Sequence, residues 1–280
     1  MVRLVRDDAR GIVNPSALLR RIDFTRHEPS ADARRFIAWY WAITWELPPG
    51  ERHTQEVLSH PVVNVSFMPG GAFVNGVQRR RQTNVLSNDG WVLGIRFRPA
   101  GFRPFLDRPL STITDRVVPI GSILAADGTA VERTVAAGNG PDPDALQAVD
   151  DLFVSLMPSE HHPAEDVAAI VEAIEVDRSL TRVDQLAART GRSDRQLQRL
   201  FADHVGVSPK WVIRRYRIYE VAERARHGDE VDWSALAAEL GYSDQAHLTR
   251  DFRAAYGTPP HRYLERCREA LDLDQAGARG

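Results

Sequence analysis

The chain is predicted to be an α+β protein of two parts. A β-rich N-terminal domain, built as a sandwich or small barrel, precedes an all-α domain in which two helix-turn-helix motifs are joined by a linker helix. Three observations predict this. A segment near the C-terminus is written twice, the segment between the copies carries the end signals of one long helix, and the first half alternates apolar and polar residues at the strand period.

The first copy reads LAARTGRSDRQLQRLFADHVGVSP from Leu186 to Pro209, and the second LAAELGYSDQAHLTRDFRAAYGTPP from Leu236 to Pro260. Leu186, Gly191 and Ser193 recur fifty positions later as Leu236, Gly241 and Ser243, whereas Leu197, Phe201, Gly206 and Pro209 recur fifty-one later as Leu248, Phe252, Gly257 and Pro260. The second copy therefore holds one inserted residue. Each copy reads as a helix, a tight turn and a second helix. Thr181 with Asp184 has the form of a capping box ahead of the stripe Val183, Leu186, Ala187. Gly191 and Gly241 end the first helices, because the residue past the last turn often needs positive φ. Ser193 is placed to cap a helix with Leu197, Leu200, Phe201 and His204 on one face; Asp232 and then Ser243 or Asp244 cap the helices of the second copy, the latter burying Leu248, Phe252 and Tyr256.

The open faces carry Arg195, Gln196, Gln198 and Arg199 in one copy and Gln245, Ala246, His247, Thr249 and Arg250 in the other. A single copy would equally suit an ordinary helical hairpin with a solvated face. Two copies with matched Arg, Gln and Thr faces point further, since these side chains hydrogen-bond base edges and phosphates and a helix-turn-helix presents its second helix to the major groove. Between the copies, SPKWVIRRYRIYEVAERARHG has Pro209 suited to a first helical turn and Gly228 to its end. Trp211, Val212, Tyr216, Tyr219 and Val221 give it an apolar surface, and Arg214, Arg215 and Arg217 give it charge. Such a helix spans roughly 27 Å at about 1.5 Å per residue. That suits two readers set on successive major grooves roughly 34 Å apart.

Residues 165 to 267 resemble the DNA-binding domain of the AraC/XylS family of bacterial transcription regulators. The inserted residue of the second copy, the tail GYSDQAHLTRDFRAAYGTPPHRYL and the linker start SPKWVIRRYR carry the resemblance in order. It implies a double-stranded DNA partner engaged through two successive major grooves. Arg195, Gln198 and Arg199 then sit where the first recognition helix reads bases, with Gln196 alongside. Gln245, Ala246, His247, Thr249 and Arg250 sit at the equivalent places of the second. Ala246 can offer only apolar contact to a thymine methyl. RNA polymerase is a further partner that the resemblance implies.

The expected organisation is a β-rich sensory domain at 1–125, a linker and amphipathic helix at 126–162, the DNA-binding domain at 163–268, and a tail at 269–280. Within the DNA-binding domain the first motif falls at about 183–206, the linker helix at 209–227 and the second motif at 233–257. A length of 280 residues, 43% hydrophobic and 26% charged, suits two globular domains. Residues 180 to 270 hold sixteen Lys and Arg against thirteen Asp and Glu, so the overall charge of −2 leaves about −5 on the remainder. That surplus is small, and the repeat rather than the charge argues for DNA. Cys267 is the only cysteine, which excludes an internal disulfide and a Cys-based structural zinc site. No apolar run has the length of a membrane span and MVRLVRDDARG lacks a signal-peptide core, so a cytoplasmic location is expected.

Residues 1 to about 35 read as a polar lead-in with one short helix. The runs FIAWYWAITWEL, HTQEVLSHPVVNVSFM, AFVNGV and TNVLSNDGWVLGIRFRP read as strands, punctuated by turns at residues 69–71 and 88–90. Trp39, Trp41, Ile43 and Trp45 share one face of the first, and Tyr40, Ala42 and Thr44 the other. AGFRPFL reads as a short helix. This half resembles the β-rich sensory domains that precede AraC-type domains, above all a subgroup without an assigned ligand, through VLGIRFRPAGFRPFL. Trp39, Trp41 and Trp45 either line a cavity for a small-molecule effector or form the core. His53 and His60 lack a third ligand, so no metal or other cofactor is assigned. The run Arg79 to Arg81 reads as a solvated loop. Residues 125 to 143 read as a linker or surface loop. Leu146, Val149, Leu152, Phe153, Leu156 and Met157 then mark a helix that either makes a homodimer or packs on its own domain. No nucleophile elbow, P-loop or paired-carboxylate motif is present, and no enzyme is expected. Two rivals stand beside the regulator: an interaction protein whose motifs no longer read DNA, and a DNA alkylation-repair protein, which needs several cysteines where this chain has one.

Overall fold

The structure, a computed structural model, describes residues 2–3, 21–138, 140–226 and 231–277, with backbone alone at 2–3 and 270–277. The chain divides into two compact units, residues 1–172 with 195–208 and residues 173–194 with 209–280.

In the first unit an antiparallel seven-stranded sheet has the order β1 (Val2–Arg3), β2 (Asp23–His27), β3 (Ile37–Glu46), β8 (Asp89–Phe97), β5 (Asn64–Met68), β6 (Gly71–Asn75) and β9 (Val117–Pro119). A separate two-stranded ribbon pairs β4 (Arg52–Val57) with β7 (Gln82–Ser87). The β-rich prediction therefore holds, but among the described residues the sheet is open, with β1 and β9 at its two ends and no closed barrel. Most of the lead-in lies outside the described residues. The short helix expected in the lead-in falls outside them as well; its described part holds strand β2 and a single 3₁₀ turn at Ala33–Arg35. AGFRPFL likewise yields only a 3₁₀ turn at Arg103–Phe105.

The long pairing of β3 with β8 sets the Trp41 ring opposite Gly94 and the Trp45 ring opposite Gly90. A Cβ at Gly94 would stand 1.9 Å from Trp41, and one at Gly90 would stand 2.3 Å from Trp45, so the indoles lie flat where β8 carries no side chain. Ile37, Tyr40 and Ala42 are the buried members of β3, whereas Trp39, Trp41 and Trp45 are half-buried. The guanidinium carbons of Arg26 and Arg96 stand 4.0 and 4.6 Å from the Trp39 ring centroid. The core lies on the other face, where Phe36, Phe97, Phe102, Phe105 and Phe153 meet largely edge to face.

Two helices complete this part of the unit. The segment read as a linker or loop is instead α1 (Gly121–Ala137), interrupted at Ala125 (φ 47°). Ala126, Ala130, Ala136 and Ala137 favour helix, and Leu124, Gly128 and Val135 give it a buried side, so the composition that suggested a loop does not exclude a helix. Helix α2 (Pro143–Leu156) is capped by Asp142, whose carboxylate accepts from the Ala145 N–H at 2.7 Å. Its Ala145, Val149, Leu152 and Phe153 are buried within this unit. Buried Asp150 accepts from the Tyr40 hydroxyl at 2.7 Å and from the Ser30 N–H at 3.3 Å. The amphipathic helix thus spends its apolar side inside its own chain.

The start of α3 (Pro163–Val176) is held by Arg35, which donates to the Pro158 and Glu160 carbonyls at 2.6 and 2.7 Å and to both oxygens of Glu165 at 2.8 and 3.3 Å. That guanidinium brings the Glu165 carboxyl from an ordinary 4.5 down to about 2. A carboxylate depressed on folding contributes stability above its unfolded pKa and loses it as pH falls toward the folded one. Glu165→Gln is therefore expected to lower stability by about 1 kcal/mol at pH 7, a value discounted for the partial exposure of both side chains. The deficit should shrink steadily from about pH 5 downward in urea titrations run at a series of pH values. A deficit that stays constant down to pH 3 would refute the pairing.

In the second unit α6 (Pro209–Arg226) is central and contacts α4 (Val183–Thr190), α8 (Gln245–Tyr256) and α9 (Pro260–Gly277). It buries Val212, Ile213, Tyr216, Ile218, Tyr219, Val221, Ala222 and Ala225. The Phe252 and Tyr256 rings of α8 stack at 4.6 Å, and Tyr263 of α9 closes on both. No described helix is long and apolar enough to cross a membrane.

Candidate nucleic-acid interface

Both copies of the repeat build the same turn. Gly191 ends α4 at φ 64°, and Arg192 donates its N–H to the Ala187 carbonyl at 3.2 Å. Gly241 follows α7 (Trp233–Glu239) at φ 69°; its N–H reaches Ala238 at 3.0 Å, and the Tyr242 N–H reaches Ala237 at 2.8 Å. These hydrogen bonds satisfy carbonyls that the helix end leaves open, and only glycine takes this backbone at no steric cost.

The caps are more specific than the sequence showed. Asp232 accepts from Ser234 and Ala235, and Asp244 accepts from the His247 N–H at 2.6 Å. That last hydrogen bond holds the Asp244 carboxyl below its usual range. In the first copy the reciprocal cap lies one residue later than Thr181 and Asp184 suggested. Gln185 reaches back to the N–H groups of Thr181 and Arg182 at 2.8 and 2.9 Å, while Asp184 pairs with Arg182.

The second helices, α5 (Asp194–His204) and α8, divide their residues as the periodicity predicts. Leu197, Phe201, Leu248 and Phe252 are wholly buried. Arg195, Gln196, Gln198 and Arg199 are exposed on α5, as are Gln245, Ala246 and Arg250 on α8, with His247 and Thr249 half-buried. The Gln245 side-chain oxygen accepts from the Ser234 hydroxyl at 3.1 Å. Residues 195–208 belong to the first unit, where Asp203 pairs with Arg103 at 3.1 Å and the Gly206 carbonyl accepts from the Thr114 hydroxyl at 2.6 Å.

The sequence reading missed one acid of the second unit. Asp251 lies on the apolar stripe of α8, between Leu248 and Phe252, and binds the Arg214 guanidinium at 2.6 Å. An acid at a stripe position was the available signal. His247 stands near it, with its Nδ1 3.2 Å from the Ser243 hydroxyl and its ring edge-on to Tyr242 at 5.1 Å. A cleft of about 520 Å³ opens beside these residues, between the start of α4, the linker helix α6 and the turn into α8.

The other sequence candidates are not brought together. His53 faces Gln55 on β4, and no group of three or more His, Cys, Asp or Glu able to hold a metal occurs among the described residues. Arg79 pairs with Asp115 at 2.7 Å and Arg81 with Glu56 at 3.1 Å, so these two arginines of the basic run already face carboxylates.

Residues 186–266 match the family described as "Helix-turn-helix domain". Multiple antibiotic resistance protein MarA of Escherichia coli is 32% identical over 81 residues, 29% of this chain and 63% of that one. The match thus spans less than two thirds of MarA. Probable transcription factor PqrA of Proteus vulgaris is 34% identical over 86 residues, 30% of this chain and 68% of PqrA. The chain belongs to the AraC/XylS family. This is a family of transcription regulators rather than of enzymes. Residues 25–119, ahead of the AraC-type region, match "Domain of unknown function (DUF6597)". Among solved structures, ToxT from Vibrio cholerae aligns over 81% of this chain and 98% of its own, at 11% identity and a TM-score of 0.41.

Proposed function

We propose that this AraC/XylS-family chain is a sequence-specific DNA-binding transcription regulator whose two motifs read successive major grooves and whose β-rich domain answers to a small-molecule effector. The observation that supports it best is the doubled motif: the same glycine turn, the same buried Leu and Phe pair, and polar side chains on the opposite face of each second helix. In this reading the DNA-binding domain occupies residues 163–268, Arg195, Gln198 and Arg199 contact bases from α5, and Gln245, His247, Thr249 and Arg250 do so from α8. Gln196 and Ala246 flank them. RNA polymerase is the partner through which an activator of this kind acts, and the cytoplasm is its place of work. An apolar effector would meet the half-buried faces of Trp39, Trp41 and Trp45. Native mass spectrometry of the protein as purified tests for that ligand.

Site selection from a random DNA pool tests the reading itself. The wild type should recover a bipartite motif. Arg195→Ala and Gln198→Ala should each relax preference at one base pair, at a cost of about 1 to 3 kcal/mol on the selected site, and leave binding to random DNA nearly unchanged. Loss of affinity for all sequences alike would make these residues phosphate contacts, and recovery of the wild-type motif by both variants would remove α5 as a reader.

A further inference from the structure

Two residues that line the cleft beside α8 hold buried polar atoms that no described residue satisfies. Tyr242 is 6% exposed and lines the cleft, and its hydroxyl has no hydrogen-bond partner. Arg217 lies 5.6 Å over the Tyr242 ring, and its buried Nε is likewise without a partner. Burying a hydroxyl or a guanidinium N–H unsatisfied costs stability, and native structures retain few such groups. Those that persist at the wall of an open cleft are placed to donate to something that enters it.

The charges in the cleft indicate what enters. Lys210, Arg214 and Arg217 follow one another at i, i+4 and i+7 on the linker helix and all line it, as do Arg182, Asp184, Asp194 and Asp251. Arg182 is paired with Asp184 and Arg214 with Asp251. Lys210 and Arg217 then stand against Asp194 alone, so the cleft carries a surplus of one positive charge, and two of the residues that line it hold unsatisfied donors. Its walls come from the start of the first motif, residues 181–184, and from the turn and second helix of the second, residues 241–251, and include His247, a proposed reader. A duplex read by α8 through His247 would lie beside this cleft.

We propose that the cleft binds a backbone phosphate of the DNA between the two major-groove segments, with Arg217 and the Tyr242 hydroxyl donating to its oxygens and Lys210 at its rim. The assignment rests on the DNA reading above and adds to it a contact that positions the duplex without reading sequence.

Two variants separate this from a structural role. Tyr242→Phe removes only an oxygen that lacks a partner in the free protein, so its thermal midpoint should equal or exceed that of the wild type, while affinity for the selected site falls about tenfold. Arg217→Met keeps the stem and removes the charge, and the slope of log affinity against log salt should drop by about 0.9. The selected base motif should stay unchanged in both. A scan of the selected site with neutral methylphosphonate linkages should show one central position whose neutralisation weakens the wild type but not Arg217→Met. If the wild type selects a motif while both variants keep its affinity and salt slope, the phosphate assignment fails and the DNA reading stands. If the wild type selects none, both fail. Binding of millimolar inorganic phosphate, seen as ³¹P line broadening that Arg217→Met abolishes, together with an unchanged salt slope on DNA, would assign the cleft to a free anion and overturn the proposal.

Discussion

Tyr216→Pro is expected to unfold the second unit and abolish DNA binding while the first unit stays folded. Position 216 is the eighth of eighteen residues in α6, so proline there removes an i→i−4 hydrogen bond and clashes with the carbonyl one turn back, at about 3 kcal/mol or more. Tyr216 is also 8% exposed, with its ring 6.2 Å from that of Tyr219, and losing a buried aromatic costs about 3 to 5 kcal/mol more. Together these rival the about 5 to 15 kcal/mol that holds a typical domain. The helix that would fail is the one α4, α8 and α9 pack against. Calorimetry should show one of two transitions missing, and DNA footprints should vanish. Tyr216→Phe, which keeps helix and ring, should retain both. An intact footprint from the proline variant would mean that the linker helix neither organises the unit nor sets the spacing of the readers.

The doubled motif was legible because every signal in it is local. A glycine that needs positive φ sits one residue past a short amphipathic stripe, and Asp232 and Asp244 cap helices from within three residues. The sheet was legible in kind but not in orientation. Alternation placed Trp39, Trp41 and Trp45 together and Tyr40 with Ala42 on the other side, yet which face is buried depends on Phe97, Phe105 and Phe153, far along the chain. Strand β2, with the sequence DFTRH, carries no alternation and forms because β3 offers an edge. Helix α1 was obscured by its Gly and Asp residues, although alanine dominates its propensity. In the candidate interface the exposure of the candidate reader residues followed from periodicity. Arg214 with Asp251 and Arg217 with Tyr242 did not, since those partners are 37 and 25 residues apart and meet only through tertiary packing.

Phe153→Ala is expected to destabilise the first unit by about 3 to 5 kcal/mol without changing the oligomeric state. The sequence left two uses for the stripe on α2, dimerisation or packing on its own domain, and they predict opposite results. Phe153 is 0% exposed, with its ring 5.2 Å from both Phe97 and Phe105 and at 90° to the latter. Truncation leaves a cavity among rigid rings that cannot collapse into it, and also removes two aromatic pairs worth about 0.5 to 1.5 kcal/mol each beyond their buried area. Asp150 on the same helix would be loosened from Tyr40, whose hydroxyl pKa is raised by burial and then by that carboxylate. Urea unfolding followed by near-ultraviolet circular dichroism reads the stability, and sedimentation equilibrium on the same samples reads the mass. A variant with wild-type stability that shifts from dimer to monomer would show that the stripe faces a second chain. A loss of stability at constant mass would confirm that α2 completes the core of its own unit, so that any dimer of this regulator must form through another surface.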